Sequence, residues 1–341
     1  MNPKIEPSLP AQIKVSFGSA VVIGLLQGKL DAAPTTIYLM TDKLGKCNAN
    51  CLFCPQARES LAKTDLLSRV SWPSFKTKLI IDKIQEAVRE RSVNRVCIQA
   101  LNYPEVFAHL SCLICSIREQ TNVPISVSCQ PIKENNIALL YHAGVERIGI
   151  PLDAATREVF IRIKGVGARG PYTWRRQLQL LDAATKIFGK GKVSTHLIVG
   201  LGETEEQMAE TIQRCVDMSV LPGLFAFTPV RGTALEKEHP PDLKKYRRLQ
   251  LARYLIQNRI IRVSRFRFDA RGDITDFGVE SSVFQRIIEK GDAFQTSGCP
   301  DCNRPFYNEK PSGPIFNYPG KLSQNQIQDI AKLFRSHWQG Q

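Results

Sequence analysis

Apolar residues along this chain recur in two alternating rhythms. Short runs rich in β-branched and aliphatic residues fall at 35–41, 95–98, 124–129, 147–151, 193–199, 221–227 and 266–269, and each reads as a strand. Between them lie segments with apolar residues every three or four positions: 72–90 (through Leu79, Ile80, Ile84 and Val88), 105–117, 134–142, 174–188, 205–216 and 243–256. These read as amphipathic helices. Ahead of them, residues 10–29 carry Ile13, Phe17, Val21 and Leu25 on one stripe and predict an N-terminal helix beside the main body. Alternating strands and helices mean an α/β fold with parallel strands and crossover helices. Seven such strands predict a complete or nearly closed (β/α) barrel rather than an open doubly wound sheet. The chain then divides into an N-terminal helical extension (1–34), the barrel (35–270) and a C-terminal cap with a terminal helix (271–341).

Composition narrows the setting. Hydrophobic content of 43% and charged content of 23% are those of a soluble globular protein. The net charge of +14 favours acidic partners. No lysine or arginine block is long enough to read as a nucleic-acid tail, so nucleic acid is not an expected partner. The most apolar N-terminal patch, residues 19–26, is too short to span a bilayer and lacks the flanks of a signal peptide. The expectation is therefore a cytoplasmic protein without a membrane partner, in which thiols stay reduced and read as metal ligands rather than disulfides.

Ten cysteines then carry the chemistry. Cys47, Cys51 and Cys54 form a C-x3-C-x2-C loop directly after the first strand, at the end of a barrel where functional groups gather. Three thiolates hold three irons of a four-iron, four-sulfur cube and leave the fourth open, whereas a cluster closed by four cysteines only passes electrons. The competing readings are half a zinc site, which usually needs a partner pair, and core thiols, for which an Asn-rich loop is a poor place. A second constellation combines Cys97 and Cys129, read at the ends of the second and third strands, with Cys299 and Cys302 of a C-x2-C in a Gly/Pro loop. If that loop folds over the barrel mouth, the four suffice for an auxiliary cluster; otherwise Cys97 and Cys129 are inert core residues. Cys112 and Cys115, in an apolar helix, read as core packing, and Cys215 as structural.

The loop spacing, with Phe53 before its last cysteine, resembles the signature of the radical S-adenosylmethionine (SAM) enzymes. In that family the open iron binds the amino and carboxylate groups of SAM, and an electron from the cluster cleaves SAM to a 5′-deoxyadenosyl radical. The resemblance implies a TIM-like radical SAM barrel with a 4Fe-4S cluster on Cys47, Cys51 and Cys54. It also extends along the chain. Residues 197–204 resemble the fifth-strand motif G-x-I-x-G-x-x-E against which adenine lies, although His196 replaces its first glycine. Asp153 fits the acidic residue that holds the ribose. By this resemblance Phe53, Ala100, Asp153, Ile198, Gly200 and Glu203 are the cofactor-binding residues. Cys97 and Cys129 look like two of the three cysteines that hold the auxiliary cluster of biotin synthase, but the third falls at Ser194, so a different ligand set is needed.

The C-terminal stretch 298–309, followed by Phe316-Asn317-Tyr318-Pro319, resembles the two-component lipoyl synthases. That resemblance implies sulfur insertion into an octanoyl chain on a lipoyl carrier protein, with the auxiliary cluster consumed as sulfur donor. The implied partners are the octanoylated carrier, a paralogous radical SAM subunit and a ferredoxin or flavodoxin donor. Three alternatives stand beside it: biotin-synthase-like sulfur insertion into a free small molecule, RNA modification, and a non-catalytic iron–sulfur scaffold.

Overall fold

A computed structural model of the protein describes residues 8–334. It opens with strand β1 (Gln12–Val15), the short helix α1 (Phe17–Val22) and strand β2 (Thr36–Thr41). A hairpin of β3 (Leu66–Leu67) and β4 (Val70–Ser71), then β5 (Ser74–Lys76), leads into α2 (Thr77–Arg89). Strand and helix next alternate through β6 (Arg95–Gln99), α3 (Val106–Gln120), β7 (Ile125–Ser128), α4 (Glu134–His142) and β8 (Arg147–Gly149). Two helices, α5 (Arg157–Ile163) and α6 (Trp174–Phe188), precede β9 (Val193–Val199), α7 (Glu205–Asp217), β10 (Val220–Ala226) and α8 (Leu243–Gln257). The C-terminal part holds β11 (Arg267–Phe268), β12 (Ile274–Asp276), α9 (Ser281–Lys290) and α10 (Gln324–Leu333).

Six strands run parallel, in the order β10-β9-β8-β7-β6-β2, and β1 and β5 extend the β2 edge antiparallel. Strand pairing does not close this sheet into a ring: it ends at β10 on one side and β5 on the other. The expected seventh barrel strand, near 266–269, pairs instead with β12 in a separate two-stranded sheet.

The alternation along the strands is informative. Residues two apart share a face. Ile37 and Leu39, Val96 and Ile98, Ile125 and Val127, and Leu197 and Val199 are buried in the main apolar core with residues of the flanking helices. The opposite face carries Tyr38, Cys97, Gln99, Ser126, Ser128 and His196, and it lines a cavity. A polar inner face is the sequence mark of a sheet that curves around a cavity rather than a filled core.

The predicted N-terminal helix over 10–29 is not formed. Ile13 and Val15 are fully buried in β1, and Ser16 caps a helix that ends by Val22. The stripe from Ile13 to Leu25 mixed a period of two with a short helical turn. Likewise, the first residues of the expected helix over 72–90 belong to β5 and its approach, with Trp72 buried there. Cys112 and Cys115 are not core residues: α3 buries Val106, Phe107, Leu110, Leu113, Ile114 and Ile117, leaving Cys112 half-buried and Cys115 exposed. Cys215 is buried, as expected.

What holds the C-terminal segment is α8, a helix polar in sequence yet buried on several sides. Arg247 donates to the carbonyl oxygens of Phe316 (2.5 Å) and Ile315. Gln250 donates to the Phe316 carbonyl (3.0 Å), and the Tyr246 hydroxyl bonds the Asn317 side chain (3.1 Å). Buried polar groups of this kind are costly unless satisfied. Here they satisfy a segment that has little regular structure of its own.

Candidate functional site

The three-cysteine loop follows β2 and is pinned from several sides. The Cys47 amide donates to the Gln56 carbonyl (2.9 Å), Cys54 to Cys51 (3.0 Å), and Leu52 to Ile163 (2.9 Å). Asn50 donates to the Ala168 carbonyl (2.8 Å) and accepts from the Glu59 amide (3.1 Å), so the Asn-rich character of the loop serves its own backbone. The Asn102 amide donates to Cys47 Sγ (3.1 Å), tying the loop to the end of β6.

All three thiols line one cavity of about 550 Å³. Burial, above all, raises the pKa of Cys51, and it pushes Cys54 up to about 12. At Cys51 and Cys54 burial thus favours the protonated thiol, so binding a metal there must release their protons. Among the described residues no three His, Cys, Asp or Glu side chains converge as a single ion would require. The donor set is instead three soft thiols without oxygen or imidazole ligands, and a four-iron cube takes one thiolate at each of several corners. The loop fits that group.

Next to the loop stands a buried ion pair. Lys164 Nζ lies 2.6 Å from Asp153 Oδ2 and 2.6 Å from the Pro151 carbonyl, with no exposed side-chain surface, between the rings of Phe160 and Tyr172. Asp153 has φ 66, a left-handed conformation seldom adopted by non-glycine residues. Its amide donates to His196 O (2.8 Å) and its carbonyl accepts from Ile198 N (3.0 Å), so β9 holds it in place. Phe53, Ala100, Asp153 and Ile198 line the cavity beside the cysteines. Gly200 and Glu203 stand away from its lining. The Glu203 carboxylate accepts from the amides of Gly200 (2.8 Å) and Leu201 (2.9 Å), so it shapes the turn after β9 rather than facing a ligand. Gly200 has φ 103, and a Cβ there would sit 3.1 Å from Pro241.

The second thiol set differs from expectation in two ways. Cys97 lies in the middle of β6, not at its end, in register with Tyr38 on one side and Ser126 on the other. The 297–304 loop does not cover the mouth. It reaches from β10, where the Leu224 amide donates to Ser297 Oγ (3.0 Å), to the start of β2, where the Thr35 amide donates to Asn303 Oδ1 (3.0 Å). This places Cys302 Sγ 3.2 Å from the Tyr38 hydroxyl and Cys299 Sγ 3.3 Å from Ser126 Oγ, in the sheet layer that carries Cys97. Burial raises Cys97 well above the usual thiol range, and the charges of Cys299 and Cys302 add to the shift. Cys129 is set apart. It lines the cavity and is pushed up to about 12, but by burial alone, without a contribution from another thiol. The structure thus gathers Cys97, Cys299 and Cys302.

Several cavity residues were not among the candidate site residues named from the sequence, although Arg304 and Tyr307 lie in the 298–309 stretch. Arg304 has its guanidinium carbon 3.9 Å from the Phe225 ring centre and a buried Nη2 without a partner among the described residues. Tyr307 packs edge-on to Phe225 (5.9 Å), and burial, then the charges of Cys54 and, opposing, Arg304, then Asp153 and Cys97, set its raised pKa. Its phenol therefore feels both thiol sets. His196 lines the cavity, half-buried against Phe225 (4.7 Å), and desolvation there lowers its pKa to about 4, favouring the neutral imidazole. Lys164 sits between Ile163 and Gly165 in no pattern that announces it. His196 had a cue, as the departure from an expected glycine, and Arg304 and Tyr307 had one in the C-terminal stretch that holds them.

Residues 43–215, about half of the chain, match the Radical SAM superfamily. A biotin synthase of Persephonella marina is 25% identical over 58% of this chain and 56% of its own length, and one of Clostridium acetobutylicum is 25% identical over 64% and 65%. The chain thus spans less than two thirds of either relative. The FeFe-hydrogenase maturase HydG from Carboxydothermus hydrogenoformans superposes with a TM-score of 0.49 at 15% identity, covering 63% of this chain and 49% of its own. No helix among the described residues is long and apolar enough to cross a membrane. By the superfamily match and the three-cysteine loop that falls inside it, the chain belongs to the radical SAM superfamily, whose 4Fe-4S cluster and S-adenosylmethionine are its cofactors.

Proposed function

We propose that this protein inserts sulfur into an octanoyl chain carried on a lysine of a lipoyl carrier protein. The observation that carries the reading is the pair of thiol sets on one cavity: Cys47, Cys51 and Cys54 at one place, and Cys97, Cys299 and Cys302 at another. The cluster and SAM, when bound, supply a 5′-deoxyadenosyl radical able to remove hydrogen from an unactivated carbon. Cys47, Cys51 and Cys54 hold that cluster, and the buried Lys164–Asp153 pair offers a fixed cation and anion to orient polar groups of SAM. Cys97, Cys299 and Cys302 hold an auxiliary iron–sulfur group as the sulfur source, with the Arg304 charge partly offsetting the burial of Cys97 and Cys302.

Met40, Leu67, Val70, Trp72, Phe225 and Ala226 give the cavity an apolar share of wall, which suits a hydrocarbon chain and excludes water from a radical. The net charge of +14 suits the acidic carrier and a ferredoxin or flavodoxin donor, and a paralogous subunit completes the reaction. A second reading, sulfur insertion into a free small molecule, is favoured by the similarity to biotin synthases. Mass spectrometry of an octanoylated carrier peptide after anaerobic incubation with SAM and reductant decides between them. Addition of sulfur to the peptide is expected. An unchanged peptide beside abundant 5′-deoxyadenosine would reject the carrier-bound substrate.

A further inference from the structure

The loop that carries Cys299 and Cys302 has two sides. One faces the large cavity, whose lining includes Gly298, Cys299 and Cys302. The other faces a separate pocket of about 300 Å³, lined by the same three residues together with Gln295, Thr296, Asp301, Asn303, Tyr318 and Pro319. The two thiols therefore stand in a wall one loop thick. Cys97 lines only the large cavity, as do the three cysteines of the first loop.

The wall is thin but fixed. Thr296 Oγ1 donates to the Asn303 carbonyl (2.8 Å), closing the loop at its base, and the Asn303 side chain donates to Ala33 O (2.8 Å). At Gly298 the loop backbone passes close to the sulfur: a Cβ there would stand 3.6 Å from Cys302 Sγ, an ordinary packing distance. The outer pocket presents the Asp301 and Asn303 segment and is too small for a folded partner, yet ample for ions.

We propose that this outer pocket is a second access site, through which ferrous iron and sulfide reach Cys299 and Cys302 without crossing the substrate cavity. The inference rests on the reading of Cys97, Cys299 and Cys302 as the sulfur-holding set. If sulfur leaves that set with product, it must be replaced. The large cavity is shared with the first loop and with the residues assigned to SAM and substrate, so replacement by that way must wait until both have left. The outer pocket removes the wait. Thiols on its inner wall and an acidic residue at its rim suit ferrous iron, and sulfide can enter as neutral hydrogen sulfide.

The test uses the full-length protein freed of iron, treated with a maleimide joined to a bulky polymer, and quantifies labelling cysteine by cysteine by mass spectrometry. Cys299 and Cys302 should be labelled several-fold faster than Cys97. Gln295→Trp and, separately, Pro319→Trp should each protect those two cysteines while leaving labelling of Cys47, Cys51 and Cys54 unchanged. Both variants should also slow the return of iron to the second set when ferrous iron and sulfide are supplied with SAM present. Equal labelling of Cys97, Cys299 and Cys302, or no protection by either tryptophan, overturns the second access site. Iron content separates this failure from failure of the underlying reading. About eight irons per chain with unprotected labelling rejects the access site alone, whereas about four irons in the intact protein rejects both.

Discussion

The two thiol sets are built by opposite means. Cys47, Cys51 and Cys54 share one short loop, and the hydrogen bonds that shape it run within residues 47–59, to the end of β6 and to the α5 end and following turn at Ile163 and Ala168. Cys97, Cys299 and Cys302 come from a mid-strand position and a distant loop, joined only when α8 and the sheet edges hold the C-terminal segment in place. The first site is a local property of the sequence, the second a property of the whole fold. A local site tolerates loosening elsewhere. A composite site fails whenever any of its supports fails, even if every ligand remains.

The sharpest way to separate the two is to remove ligands from the first. Replacing Cys47, Cys51 and Cys54 with alanine should leave a folded protein that forms no 5′-deoxyadenosine and retains about four of eight irons. Product analysis by liquid chromatography and an iron assay check both. Residual SAM cleavage would move the radical-generating site elsewhere.

Next in size is a change that touches no thiol. Arg247→Ala strands the carbonyl of Ile315, leaves that of Phe316 to Gln250 alone, and should cost about 3 kcal/mol, as charged hydrogen bonds to buried groups do. Thermal denaturation reads the loss. Iron bound by the second set should fall while the first set keeps its own; equal retention of both would mean that the cap does not depend on α8.

Acid affects the shared cavity through His196. Its pKa in the folded protein is about 4, against the usual 6.5, so between these values the unfolded chain binds the extra proton and stability rises with pH. The contribution is present above pH 6.5 and is lost as pH falls toward 4, by up to about 3 kcal/mol. His196→Phe should flatten the acid limb of the stability curve followed by denaturant titration. An unchanged limb would place the acid sensitivity in other groups.

The smallest effect expected is from Cys129. Because no other thiol contributes to its shift, Cys129→Ala should cost about 1 kcal/mol and leave the iron content intact. A loss of iron would return Cys129 to the ligand set and make the second site four-cysteine.

How much of this was legible follows the same division. The six parallel strands could be read because their outward residues, such as Val96, Ile98, Ile125 and Val127, are buried aliphatics bounded by turns. The first cysteine loop could be read because its spacing is its geometry. The predicted ring closure failed because strand pairing at an edge depends on neighbours that periodicity does not name, and Arg267–Phe268 found β12 instead. Cys97 is misplaced by half a strand in the sequence reading, and Cys129 is joined to it there because both follow similar runs. Lys164 was invisible, and Arg304 and Tyr307 could be seen only as members of the 298–309 stretch, since their meaning comes from the residues they face. Glu203 was visible in its motif, but the motif could not reveal that its carboxylate is taken up by the amides of Gly200 and Leu201.

The central claim is that one cavity joins a radical-generating set to a sulfur-holding set with distinct tasks. It is tested most directly by assaying 5′-deoxyadenosine and thiolated octanoyl peptide side by side in the Cys299→Ser/Cys302→Ser variant. Serine keeps the size of cysteine while its harder oxygen is a poorer iron ligand. The account predicts that deoxyadenosine still forms and that thiolated peptide does not. Thiolation at the level of the unmodified protein would contradict it and reduce the second set to a structural clip.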